Sequence, residues 1–300
     1  MKLKLAAITF VLIALPAAAR AQEVKRLALP LGETKVSVNV YSKPGDAVTY
    51  FAPHHDEQTA LKLAKEAVAQ HGGRLVEVES FDESGVPARR LRFQVKGQTY
   101  TVDPNRIFTA SGRRCAGLAP EAEAAVAKFA EELLRLILPP DEEGAGVAGR
   151  VLVAVHNNAD SGEKAPAARA SDLTATAYVR SHDSARASRA GFDAQAAGVY
   201  LSNAEDDPDN FVLLSTPKLV GYFAAKDFNV VVQKPAGQLS AGQCGEDDGS
   251  LSVYAGQHGV EYVCLEADAA HGAARQRQMF EAVHGLVGAN DAGLAVRRKG

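Results

Sequence analysis

The stretch YFAPHHDEQTALKLAKEAV, residues Tyr50 to Val68, carries an apolar strand-like run into two histidines and two acids, and then into a helical pattern. Ala47 to Pro53 reads as a buried strand. Glu57 to Gln70 reads as a helix, closed by Gly72-Gly73. Surface charge would explain Asp56 and Glu57 but not the paired imidazoles of His54 and His55. The same grammar recurs along the chain. Lys35–Tyr41, Arg74–Ser80, Arg90–Val95, Thr99–Asp103, Arg150–His156, Asn210–Thr216, Phe228–Gln233 and Val260–Ala267 are strand-like. Pro120 to Leu138 is a helix, with proline in its first turn and Pro139-Pro140 as its stop. Short apolar strands interleaved with helices imply an α/β fold: a mixed, mostly parallel central sheet with helices on both faces.

The chain has 300 residues, 46% of them hydrophobic and 23% charged, enough to bury a sizeable core. Lys2 and Lys4 precede an apolar run from Leu5 to Leu15, followed by Pro16 and Ala19-Arg20-Ala21. That is the pattern of a signal peptide over residues 1–21, with residues 22–300 as a single α/β domain. The apolar run is too short for a lasting membrane anchor, so the mature protein is expected in the periplasm or secreted. Without the signal segment the net charge moves from −3 to −6, which argues against nucleic acid as a partner. Of the three cysteines, Cys115 and Cys244 lie in polar segments and could pair in an oxidising compartment, whereas Cys264 reads as a buried thiol.

Ligand sites in open α/β sheets lie beyond the carboxyl ends of strands. His54 and Glu57, spaced H-x-x-E, stand at the end of one strand. Asn105 and Arg106 follow the next candidate strand, His156 ends RVLVAVH, and Glu266 lies near the end of VEYVCLEA. Two imidazoles and a carboxylate suffice to bind Zn²⁺ with a position left open. A further carboxylate can then serve as general base.

This ordered set resembles the zinc carboxypeptidases and their aspartoacylase and succinylglutamate desuccinylase relatives. His54 and Glu57 match the family's H-G-x-E pair, although His55 stands at its glycine, and Val102–Phe108 is similar to V-D-L-N-R-N-F. The resemblance implies Zn²⁺ on His54, Glu57 and His156, and Glu266 as general base. It further implies a substrate carboxylate held by Arg106 with Asn105, and Tyr254 closing over the substrate. The oxyanion-stabilising arginine stays open among Arg89, Arg90 and Arg92. The implied substrate is a small peptide or N-acyl amino acid, and a cell-wall peptide fits a periplasmic setting.

Plainer readings compete. Arg106 could pair with a neighbouring carboxylate, Asn105 could be turn chemistry, and Tyr254 could be core or surface. Glu205-Asp206-Asp207 and Glu246-Asp247-Asp248 read as solvated loop acids, and His182, His258, His271 and His284 as surface residues. The alternative function is a non-catalytic exported protein that binds a metal or ligand on the same scaffold.

Overall fold

The computed structural model describes residues 21–45, 47–139, 151–158, 196–200, 202–203, 205–207, 209–235 and 247–297. Residues 1–20, where a signal peptide was expected, most of the polar stretch 161–209, His182, Cys244 and Glu246 therefore lie outside the described residues. Among the described residues, eleven strands are β1 (Glu23–Leu31), β2 (Thr34–Lys43), β3 (Val48–Ala52), β4 (Gly73–Val78), β5 (Leu91–Val95), β6 (Gln98–Val102), β7 (Val151–Asn158), β8 (Ala196–Tyr200), β9 (Phe211–Leu214), β10 (Val230–Gln233) and β11 (Tyr262–Asp268). The α-helices are α1 (Gln58–His71), α2 (Ala110–Cys115), α3 (Pro120–Ile137), α4 (Val220–Ala224), α5 (Leu251–His258) and α6 (Ala273–Arg297).

Nine strands form one sheet in the order β1-β2-β4-β3-β7-β11-β9-β10-β8. The four central strands β4, β3, β7 and β11 are mutually parallel. Antiparallel pairing enters at β2–β4, β1–β2, β11–β9 and β10–β8. The mixed sheet with a parallel centre is as the sequence implies.

The alternation of side chains along each strand divides the core in two. Tyr50 points to one face with Leu75 and Val153, beneath α1 and α6, where its ring meets Phe280 at 5.3 Å. Phe51 points to the other, with Val76 and Ala154, where it meets Phe108 edge-on at 5.7 Å. Strands buried on both faces read as continuous apolar runs because neither side meets water. On the second face α3 turns Ala122, Val126, Phe129, Ala130, Leu133 and Ile137 inward, with Glu121 and Glu123 in its first turn and Arg135 in its last. The apolar stripe and the charges that oppose its dipole both fix this helix.

One element departs from the expected layout. β5 and β6 form a separate two-stranded sheet, tied to the β1–β2 turn by a single bridge between Gln94 and Gly32. The Asp103–Arg106 segment therefore arrives from a hairpin beside the main sheet. His284, expected at the surface, is half-buried in α6, with Nε2 3.0 Å from the Tyr50 hydroxyl and its ring stacked on His71. His258 and His271 are exposed as expected. Cys264 is a free buried thiol and Cys115 is disulfide-bonded. No described helix is long and apolar enough to cross a membrane.

Phe129 is completely buried under the second face. Phe129→Ala should cost about 3–5 kcal/mol of stability. Urea unfolding checks this: a midpoint equal to that of the wild type would show that α3 does not anchor this face.

Candidate metal centre

The carboxyl ends of β3, β7 and β11 lie side by side, so residues far apart in sequence meet there. β3 ends at Ala52, Pro53 breaks it, and the chain turns through His54-His55-Asp56 into α1. Glu57 takes the N-cap position of α1, yet its side chain makes no capping bond. That role passes to Asn157 of β7, whose Oδ1 accepts the Ala60 N–H at 2.8 Å. Asn157 also donates to Gln276 of α6, which in turn donates to the His156 carbonyl at 2.8 Å. The start of α1 is thereby tied to the end of β7, and the Glu57 carboxylate is left free of the helix.

Glu57 instead faces two imidazoles. Its Oε1 is 2.8 Å from His54 Nδ1, and its Oε2 is 3.0 Å from His156 Nδ1. The two Nδ1 atoms are 3.2 Å apart. All three residues are buried, His54 at 1% exposure. Both rings thus turn the same nitrogen toward one carboxylate and toward each other. A shared cation satisfies that convergence, and two imidazoles with a carboxylate are a donor set suited to zinc. Among the described residues, this group and the overlapping group His156, Cys264 and Glu266 are the ones whose ligand atoms could share an ion. The described acids near Glu205 form no such group.

The other nitrogen of His54, Nε2, is 2.8 Å from Asp103 Oδ1. A carboxylate there holds the ring and leaves Nδ1 to face the centre. Burial opposes charge on His54, but Glu57 and Asp103 outweigh it and raise its pKa to about 9. Burial likewise opposes ionisation of both acids, yet His54, with His156 beside Glu57, holds them well below the usual carboxylate range. Asp103 lies within the Val102–Phe108 motif, but the motif alone marks no role for it. The available signal was its place three residues before Arg106, at the end of a strand.

Of the three candidate arginines, Arg89 reaches the cluster. Its Nη1 donates to Glu57 Oε1 at 2.7 Å, and its Nε lies 3.7 Å from Asp103 Oδ2. Arg92 pairs instead with exposed Glu83. His55 turns away from the centre that His54 faces. It is buried, with Nδ1 2.9 Å from the Ser80 carbonyl and its ring edge-on to Phe81 at 4.7 Å. Asp56 is exposed.

Glu266 comes from the neighbouring strand. Its register partner on parallel β7 is His156, so the two side chains leave the sheet on the same face. Cys264, two residues earlier, donates its thiol to Glu266 Oε1 at 3.1 Å. Burial first, and then the Glu266 carboxylate, push the Cys264 thiol well above its ordinary value. It acts there as a neutral donor.

Asn105 is buried, with Nδ2 3.3 Å from His156 Nε2 and Oδ1 accepting the Leu251 N–H at 3.2 Å. Arg106 is not a free cation. Its Nη1 lies 3.3 Å from Asp248 Oδ2 and donates to the Asn105 carbonyl at 3.2 Å. Arg106 therefore has a neighbouring carboxylate as its partner. Asp247 and Asp248 are correspondingly not solvated loop acids: Asp247 is buried and accepts from Thr109, Gly249 and Gln257. Tyr254 sits on α5, stacked on His258 at 3.9 Å and tilted against Phe108 at 6.5 Å. Those contacts place it in packing beside the second face.

No family model matches the chain, and none of the curated proteins matches it in sequence. Solved structures do. A provisionally assigned metallopeptidase of Shewanella baltica matches with 12% identity and a TM-score of 0.37, over 87% of this chain and 84% of its own. An aspartoacylase family protein of Mesorhizobium loti matches with 12% identity and a TM-score of 0.38, over 89% of this chain and 69% of its own. A provisionally assigned succinylglutamate desuccinylase/aspartoacylase of Shewanella frigidimarina has 10% identity and a TM-score of 0.36, over 87% of this chain and 70% of its own. Likenesses this distant assign no activity, and what the chain does has to be read from its own side chains.

Proposed function

We propose that this protein is an exported zinc-dependent hydrolase that cleaves an amide bond in a small peptide or N-acyl amino acid. The observation that carries this reading is the meeting of His54, Glu57 and His156, with both Nδ1 atoms on one carboxylate and 3.2 Å from each other. These three residues would hold the ion. When bound, zinc supplies Lewis acidity that polarises a carbonyl and lowers the pKa of water toward neutrality.

The chain's own groups supply the rest. Glu266, beside His156 in the register, takes the proton from water and delivers it to the departing nitrogen. Cys264 fixes one oxygen of that carboxylate, leaving Oε2 for proton transfer. Arg89, half exposed at the cluster, lends positive charge to the carbonyl oxygen as it becomes negative. Asn105 and Arg106 bind the part of the substrate beyond the scissile bond. A protein that only stored a metal would need no carboxylate beside the ligand set, so Glu266 favours an enzyme over a binding protein.

Two results are expected. Glu266→Gln should retain its metal and lose turnover by on the order of 10²–10⁴-fold, read by metal analysis and a peptide hydrolysis panel. Turnover equal to that of the wild type would remove Glu266 from the mechanism. Asp103→Asn should weaken zinc binding by about 10–100-fold, because His54 loses the carboxylate that orients it. Competition with a chromophoric chelator measures this, and an unchanged affinity would show that Asp103 does not support His54.

A further inference from the structure

The resemblance implies that Arg106 grips a substrate carboxylate, yet in this chain Arg106 already has one. Its partner Asp248 is no casual neighbour. Asp248 Oδ1 accepts the Ser250 N–H at 2.9 Å while Oδ2 faces Arg106 Nη1 at 3.3 Å. The carbonyl of the next residue, Gly249, accepts the Phe108 N–H at 2.9 Å, which ties this loop to the segment that carries Arg106. Gly249 has φ +79°, and a Cβ there would come within 2.4 Å of the Arg106 carbonyl oxygen. Glycine is thus required both by the backbone and by the close approach. The Leu251 N–H bond to Asn105 closes the other side of the same junction. Asp248 is built into place opposite Arg106.

The charges of the site point the same way. Glu57, Asp103, Asp248 and Glu266 bring four carboxylates, and Arg89 and Arg106 two guanidiniums. One dication balances that set before any substrate arrives. A substrate carboxylate would then enter as unbalanced charge, in a partly desolvated place, next to the fixed carboxylate of Asp248. A neutral amide fits better. Its carbonyl accepts from the guanidinium, and its N–H donates to the Asp248 carboxylate beside it.

We propose that the Arg106–Asp248 pair is a specificity determinant that selects a carboxamide, or a peptide that continues as an amide, over a free terminal carboxylate. This rests on the hydrolase reading above and names the substrate class within it. The chain would then cleave blocked or internal peptide bonds rather than trim single residues from a free carboxyl end.

The test separates the two ideas by reading binding without turnover. Matched pairs of Nα-acetyl-alanyl-X acids and carboxamides, with X alanine, phenylalanine or lysine, are prepared with an uncleavable ketomethylene in place of the Ala–X amide. They are titrated calorimetrically into the zinc-loaded wild type, whose four site carboxylates are intact, and the parent amides serve as the turnover panel. The best-bound pair should favour the carboxamide by about tenfold or more, the equivalent of roughly 1.4 kcal/mol. Adding Asp248→Asn, which keeps an acceptor for Ser250, should abolish or reverse that preference. Asp248→Ala, with folding checked by circular dichroism, serves as the second variant. An acid bound as tightly as its amide, no binding by either, or a preference untouched by both Asp248 variants would overturn the proposal. If the binding preference holds but the wild type turns over no member of the panel, the hydrolase reading fails and the selectivity stands. If the wild type turns over the acids faster than the amides, the hydrolase reading stands and the selectivity fails.

Discussion

A carboxylate at 7% exposure, set between two imidazoles at the head of a helix, is the constraint around which this protein is organised. Burying an ionised group without compensation costs far more than a domain can spare. Glu57 therefore requires His54, His156 and Arg89 at hydrogen-bonding distance. Each of those residues must be delivered from a different element. The parallel pairing of β3 with β7 and of β7 with β11, and the tie from Asn157 to the first turn of α1, follow as what such delivery needs.

The second layer is delivered from outside the main sheet. The β5–β6 hairpin brings Asp103 to His54, Asn105 to His156 and Arg106 to Asp248. A hairpin can carry these groups because its own strands pack Leu91, Phe93 and Val102 into the core of the second face. Core packing on that face and the electrostatics of the site are thus coupled. Phe108 packs on Phe51 and is the residue whose N–H clamps Gly249 opposite Arg106.

Part of this organisation is legible in the sequence. Apolar runs ending in reactive side chains identified His54, Glu57, His156 and Glu266, because a strand end in an open sheet has both a rigid base and access to solvent. The parallel centre was legible for the same reason: strands buried on both faces carry no alternation. β1 was not, since most of its residues are exposed and its pattern resembles a loop. The separate hairpin was missed because Arg90–Val95 and Thr99–Asp103 have the period of any strand, and period does not say which sheet a strand joins. Asp248 was hidden by its neighbours. A run of acids beside glycine looks solvated, and only the fold shows that Arg106 faces it.

The central claim is that one divalent ion is shared by His54, Glu57 and His156. X-ray absorption at the zinc edge on the stoichiometrically loaded protein, with anomalous diffraction from the same preparation, tests it directly. The account predicts a single ion bonded to the Nδ1 atoms of both histidines and to the Glu57 carboxylate. An ion held by other residues, or a protein that takes up no ion at all, would contradict it.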